Sequence, residues 1–226
     1  MDRSSIEKQA RGLLADIFRL EQHSRPGVLA PMQMIEPENV AAFLDYDFAY
    51  VSSLGSWGAG NSRFDIAGLV DQQRRIIRIS ESFPRAVGRF TAAHELGHIV
   101  LGHPGVVIHR DRPVFNIEGA LQDPHEREAN YFAACLLVPR RLLEDEYFKR
   151  FDIGPPLPLT DAIAFNLCGQ SAHALMRAGP GSYQFAAAIA SARSFNGRHF
   201  RSLVDTFNVS VSALAIRLRE LRLVGD

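Results

Sequence analysis

The stretch FTAAHELGHIVLGH, residues Phe90 to His103, decides how the rest of the chain is read. Apolar and small residues surround its three histidines and one glutamate, and the run closes at Gly102 and Pro104, where helices commonly stop. On a helix, residues four apart are neighbours, with Cβ atoms roughly 5–6 Å apart, so His94 and His98 point the same way. Two imidazoles at that spacing reach one metal ion at about 2.0–2.1 Å each, and a glutamate directly after the first can contact a water on that ion. HELGH is a full H-E-x-x-H, with His94 and His98 as zinc ligands and Glu95 as the catalytic residue. Shuffling a chain with 8 His and 12 Glu among 226 residues yields such a match only roughly once or twice in a hundred trials. The rival reading, a core helix whose histidines are merely satisfied, has to bury Glu95 and two imidazoles without a partner ion, which is costly.

A catalytic zinc needs a third protein ligand and an open position. One group of such sites continues as H-E-x-x-H-x-x-G-x-x-H, but Leu101 and Pro104 stand where its glycine and third histidine belong. The other group takes a glutamate from a following helix, as E-x-x-x-D or E-x-x-x-N, and EREAN supplies Glu126 and Asn130. That helix starts at DPHE, with Asp123 at the N-cap and Pro124 at N1. Glu126 therefore falls at N3, where it could instead complete a capping box. Glu128, His103, His125 and an acidic residue elsewhere compete as ligands. At about 100° per residue, Glu126 lies roughly 60–70° from the middle of the stripe Ala129, Phe132, Ala133, Leu136, Leu137, and Glu128 about 90° or more. The angle favours Glu126. Asn130 could hold a ligand through a hydrogen bond from the layer behind.

Outward from this stretch the chain reads as α+β. Ser4 and Glu7 form a capping box before an amphipathic helix carrying Ile6, Ala10, Leu13, Leu14, Ile17 and Phe18. Pro26, Gly27 and Pro31 mark a turn-rich stretch, Pro37 to Leu44 a short helix and DFAYVSS a strand. Gly55 to Asn61 reads as a glycine-rich loop around Trp57. RFDIAGLV and RRIIRIS then read as two strands joined by a tight turn, and Ser82 and Pro84 as the entry to the histidine helix. The expected architecture is a small mixed sheet packed on the H-E-x-x-H helix, residues 1–150, followed by a mainly helical C-terminal region, 151–226. The boundary rests on the GPPLPL break and on the alanine-rich helical segments beyond it. The last stretch, residues 198–224, reads as helix, turn around Asn208 to Ser210, helix.

Lys plus Arg and Asp plus Glu balance at 25 each, which leaves no global charge for non-specific nucleic-acid or membrane-surface binding. No stretch has the roughly 18 apolar residues needed to span a bilayer. The N-terminus makes a poor secretion signal. Cys135 and Cys168 read as free thiols of a reducing compartment. A cytoplasmic protein is expected.

FTAAHELGHIVLGH followed by EREANYFAACLLVP resembles the ImmA/IrrE family of zinc metallopeptidases, over roughly Arg74 to Pro139 and more weakly outside it. The resemblance implies one Zn2+ held by His94, His98 and Glu126, with Glu95 as the catalytic glutamate, in a thermolysin-like site on a compact α/β peptidase core. It also implies a regulator of transcription or stress response in the bacterial or phage cytoplasm, acting on repressors of the helix-turn-helix type. Tyr131, His103, His109 and His173 are candidates for stabilising the oxyanion of peptide hydrolysis. An extended substrate would add to a sheet edge, with Arg74 to Ser80 as the expected edge strand. Two other readings stand beside this one. In the first, the zinc is structural and the protein antagonises a repressor by binding it. In the second, residues 198–224 contact DNA through Arg201, Arg217, Arg219 and Arg222, although Leu203, Val204, Phe207, Val209, Leu214, Leu218 and Leu221 read as core packing.

Overall fold

A computed structural model describes residues 1–24, 31–57, 64–103 and 123–225 and has the expected α+β architecture. The chain forms two compact units, Met1–Leu137 and Val138–Asp226.

The first unit opens with α1 (Arg3–Ser24), whose first turn is capped by Asp2, its Oδ1 accepting the Ser5 amide at 2.9 Å. Asp2 thus takes the role the sequence assigned to Ser4. Ile6, Ala10, Leu13 and Ile17 are buried at helical spacing, but Phe18 is 42% exposed because it lies one residue past that line. Pro26 and Gly27 lie outside the described residues. Two short helices follow, α2 (Pro31–Met34) and α3 (Pro37–Phe43). Next come β1 (Asp47–Val51), the antiparallel pair β2 (Ser56–Trp57) and β3 (Phe64–Asp65), β4 (Gly68–Asp71) and β5 (Ile76–Ser80). The run RFDIAGLV therefore splits between two ladders, and most of the glycine-rich loop before it, from residue 58, lies outside the described residues.

β4 and β5 form the expected hairpin, its turn closed by Arg75 at φ 54°. β5 also pairs in parallel with β1, Phe48 opposite Ile77 and Tyr50 opposite Ile79, so the order is β1-β5-β4. This corrects the expected edge strand. β5 spends its hydrogen bonds on both neighbours and buries Ile77 and Ile79 completely, as a central strand does. Its alternation with Arg78 looked like an edge only because Arg78 turns aside to the carbonyl of Asp47, at 2.8 Å.

α4 (Arg85–Val100) carries the histidine motif. Pro84 occupies the N-cap without a side-chain bond, and Ser82 donates instead to the carbonyl of Ser52 at 3.0 Å, so Ser82 is not the cap. The helix stops where Gly102 turns to φ 68°, a conformation that suits glycine. α4 packs on β4 and β5 on one side and on α5 (Pro124–Leu137) on the other. Gly88, Thr91, Ala92, Ala93 and Gly97, all buried, make this double contact possible. Arg89, 1% exposed, ties the helix to Glu36 through a two-pronged pair at 2.9 and 3.1 Å. Asp123 caps α5 as expected, its Oδ1 accepting the His125 amide at 2.9 Å.

The second unit contains α6 (Arg140–Phe151), α7 (Asp161–Cys168), α8 (Ala172–Ala178), α9 (Tyr183–Ser191), the hairpin β6 (Ser194–Phe195) and β7 (Arg198–His199), α10 (Leu203–Phe207) and α11 (Val211–Glu220). Thr160, Ser182, Ser202 and Ser210 cap their helices by accepting backbone amides. The terminal helix-turn-helix shape is present, with Asn208 left-handed in the turn. Leu203, Phe207, Val209, Leu214, Leu218 and Leu221 are buried, and α11 lies against α9. Arg217 is fully buried, its Nε donating to the Val138 carbonyl at 3.2 Å, which removes it from any DNA-facing set. Neither Cys135 nor Cys168 forms a disulfide. Among the described residues no helix is long and apolar enough to cross a membrane.

At the crossing of α4 and α5, a Cβ on Gly97 would meet the Cα and carbonyl oxygen of Ala129 at 3.1 Å and Phe132 at 3.2 Å. Two of those neighbours are backbone. Gly97→Ala is expected to destabilise the protein by about 1–3 kcal/mol in chemical denaturation, by forcing the helices apart.

Candidate metal centre

α4 presents His94 and His98 from one face, as four-residue spacing dictates, and their Nε2 atoms stand 3.0 Å apart. The Glu126 carboxylate, from the first turn of α5, approaches the same point, with Oε2 3.3 Å from His94 Nε2 and Oε1 3.5 Å from His98 Nε2. One donor atom from each of the three residues lies within 4.8 Å of the others. The histidines are 2% exposed, whereas the Glu126 side chain is 30% exposed. Glu126 is thus directed at the imidazoles, and the N3 position that allowed a capping box brings it there.

The donor atoms favour a cation by simple electrostatics. His94 Nδ1 lies 2.9 Å from Asn130 Oδ1, an acceptor, so the hydrogen sits on Nδ1 and Nε2 carries the lone pair. His98 Nδ1 meets His103 Nδ1 at 3.0 Å, leaving His98 Nε2 directed at His94 and Glu126. Two imidazole nitrogens and a carboxylate converge on one point, a concentration of acceptors that a divalent cation satisfies. Ligand atoms about 2.0–2.1 Å from one ion lie roughly 3.4 Å from one another in a tetrahedral arrangement. Separations of 3.0, 3.3 and 3.5 Å fit that set.

Glu95 is 1% exposed and lies where α4 passes under β4. Gly68 of β4 leaves room for it: a Cβ there would fall 2.7 Å from Thr91 Cγ2 and 3.4 Å from Glu95 Oε1. Gly68 escaped the sequence reading because its significance appears only once strand and helix are superposed.

The remaining candidates separate by position. Glu128 leaves α5 on the other flank from Glu126 and reaches His103, with Oε2 3.0 Å from His103 Nε2, and its other oxygen meets the Met1 amino group. His103 is 6% exposed and stacks on His125, ring centroids 4.4 Å apart. Burial first, then the neighbouring His125, holds the His103 pKa below its ordinary value. Tyr131 carries the Arg3 guanidinium over its ring at 4.9 Å. His173 is exposed on α8, and His109 lies outside the described residues.

Residues 52–155 match the family model of the IrrE N-terminal-like domain, a peptidase family, which bears out the resemblance to the ImmA/IrrE peptidases. No curated protein matches the chain.

If His94, His98 and Glu126 hold one ion, replacing Glu126 with alanine should weaken Zn2+ binding by more than about a hundredfold, beyond what loss of a supporting hydrogen bond costs. Titration against a chromophoric chelator measures this.

Proposed function

We propose that this IrrE-type peptidase domain is a zinc-dependent endopeptidase of the bacterial or phage cytoplasm, cleaving a helix-turn-helix type transcriptional repressor. The observation that carries the reading is the convergence of His94, His98 and Glu126 beside the buried Glu95. His94, His98 and Glu126 would hold a zinc ion, which would supply Lewis acidity to lower the pKa of a water toward about 7 and to polarise the scissile carbonyl. Glu95 accepts the proton of the attacking water and delivers it to the leaving amine nitrogen, so that one carboxylate serves first as base and then as acid. His94 is held in the tautomer that donates to Asn130 and keeps its Nε2 lone pair inward. The partly exposed Glu126 leaves the centre approachable from its own side.

An extended substrate fits the edge of β4. Its inner side pairs with β5, and among the described residues no strand covers its outer side. Because Gly68 of β4 lies against Thr91 and close to Glu95, a peptide paired along that edge runs alongside the catalytic carboxylate. The repressor as substrate rests on the family resemblance. A binding-only antagonist would need the same protein surface but not Glu95.

The test is Glu95→Gln beside wild type, with a repressor encoded next to this chain as substrate. The variant should retain one zinc per chain and lose cleavage by at least about a hundredfold. Full relief of repression by the variant in cells would overturn proteolysis as the biological activity.

A further inference from the structure

His103 and Glu128 both competed for the place of third ligand, and both are turned away from it toward each other. The hydrogen-bond roles follow from the two ends of the chain, the Glu128 carboxylate and the metal-facing nitrogen of His98. An ionised carboxylate only accepts, so His103 Nε2, 3.0 Å from Glu128 Oε2, carries the ring hydrogen. On the metal reading His98 keeps its Nε2 lone pair for the ion and carries its hydrogen on Nδ1, so it donates to His103 Nδ1, 3.0 Å away. The tautomer of His98 is thereby held, with its Nε2 lone pair directed at His94 Nε2 and Glu126. Around the other histidine, Asn130 performs the same task in one step.

We propose that His103 and Glu128 are positioning residues, a two-member relay from α5 that orients the His98 imidazole and fixes which of its nitrogens faces the metal. The inference rests on the metal reading given above. It assigns α5 a double role, with Glu126 supplying a donor to the centre and Glu128 controlling a donor on α4 from the opposite flank. His98 sits between them. The stacked His125 ring and the buried setting of His103 hold the relay ring in place.

The experiment measures Zn2+ dissociation constants by chelator competition, and metal-free stability by denaturation, for wild type, His94→Ala, His103→Ala, Glu128→Ala and Glu128→Gln. His103→Ala and Glu128→Ala should each weaken zinc about 10- to 100-fold while still binding one ion. Glu128→Gln, which keeps an acceptor oxygen for His103, should recover most of that loss. Zinc affinities in all three relay variants within threefold of wild type would overturn the relay. So would equal losses in Glu128→Gln and Glu128→Ala, or a loss in His103→Ala as severe as in His94→Ala, which would make His103 a ligand. Absence of zinc binding by wild type would instead overturn the metal reading, and the relay with it.

Discussion

The close approach of two helix backbones at Gly97 is the constraint on which the centre depends. With only a hydrogen at that position, α4 rests against the Cα and carbonyl of Ala129. At that distance a glutamate side chain from α5 is long enough to reach imidazoles on α4. Any bulkier residue would widen the crossing and draw Glu126 away from His94 and His98 together. Packing and site geometry are therefore one requirement here, because the small residue that closes the core also brings the Glu126 carboxylate to the two imidazoles.

The same logic governs the sheet side. A helix lined by Thr91, Ala92 and Ala93 can lie flat on β4 and β5, and Gly68 lets the edge strand come down until it nearly touches Glu95. The buried Glu95 carboxylate consequently lies beneath a strand residue that has no side chain of its own. The buried Arg89 adds a two-pronged pair with the partly exposed Glu36 on a further side of the helix.

How far the sequence revealed this depends on whether a feature is local. The H-E-x-x-H spacing, the Asp123 cap, the β4–β5 hairpin and the terminal helix pair are all set by residues within one or two turns of each other, and the structure contains them. Features created by superposition were hidden. Strand order is one: Arg74 to Ser80 carries a charge pattern suited to an edge, yet β1 arrives from thirty residues upstream to pair with it. Glu128 is another. Its angle on α5 correctly separated it from the Glu126 flank, but nothing in the sequence said that His103, just past the end of α4, would be waiting there. Small cap assignments failed for a plainer reason, since Asp2 competes with Ser4, and Ser82 finds a carbonyl in a neighbouring segment.

The unequal exposure of the donor set has a kinetic consequence. Two of its members are sealed in the core, and Glu126 is the one that meets solvent. An ion seated there would exchange by way of the carboxylate, with the imidazoles releasing last. Chelating inhibitors would meet the centre from that flank first, so their on-rates would report the mobility of a single side chain. The first turn of α5 would then act as a gatepost as well as a source of a ligand atom.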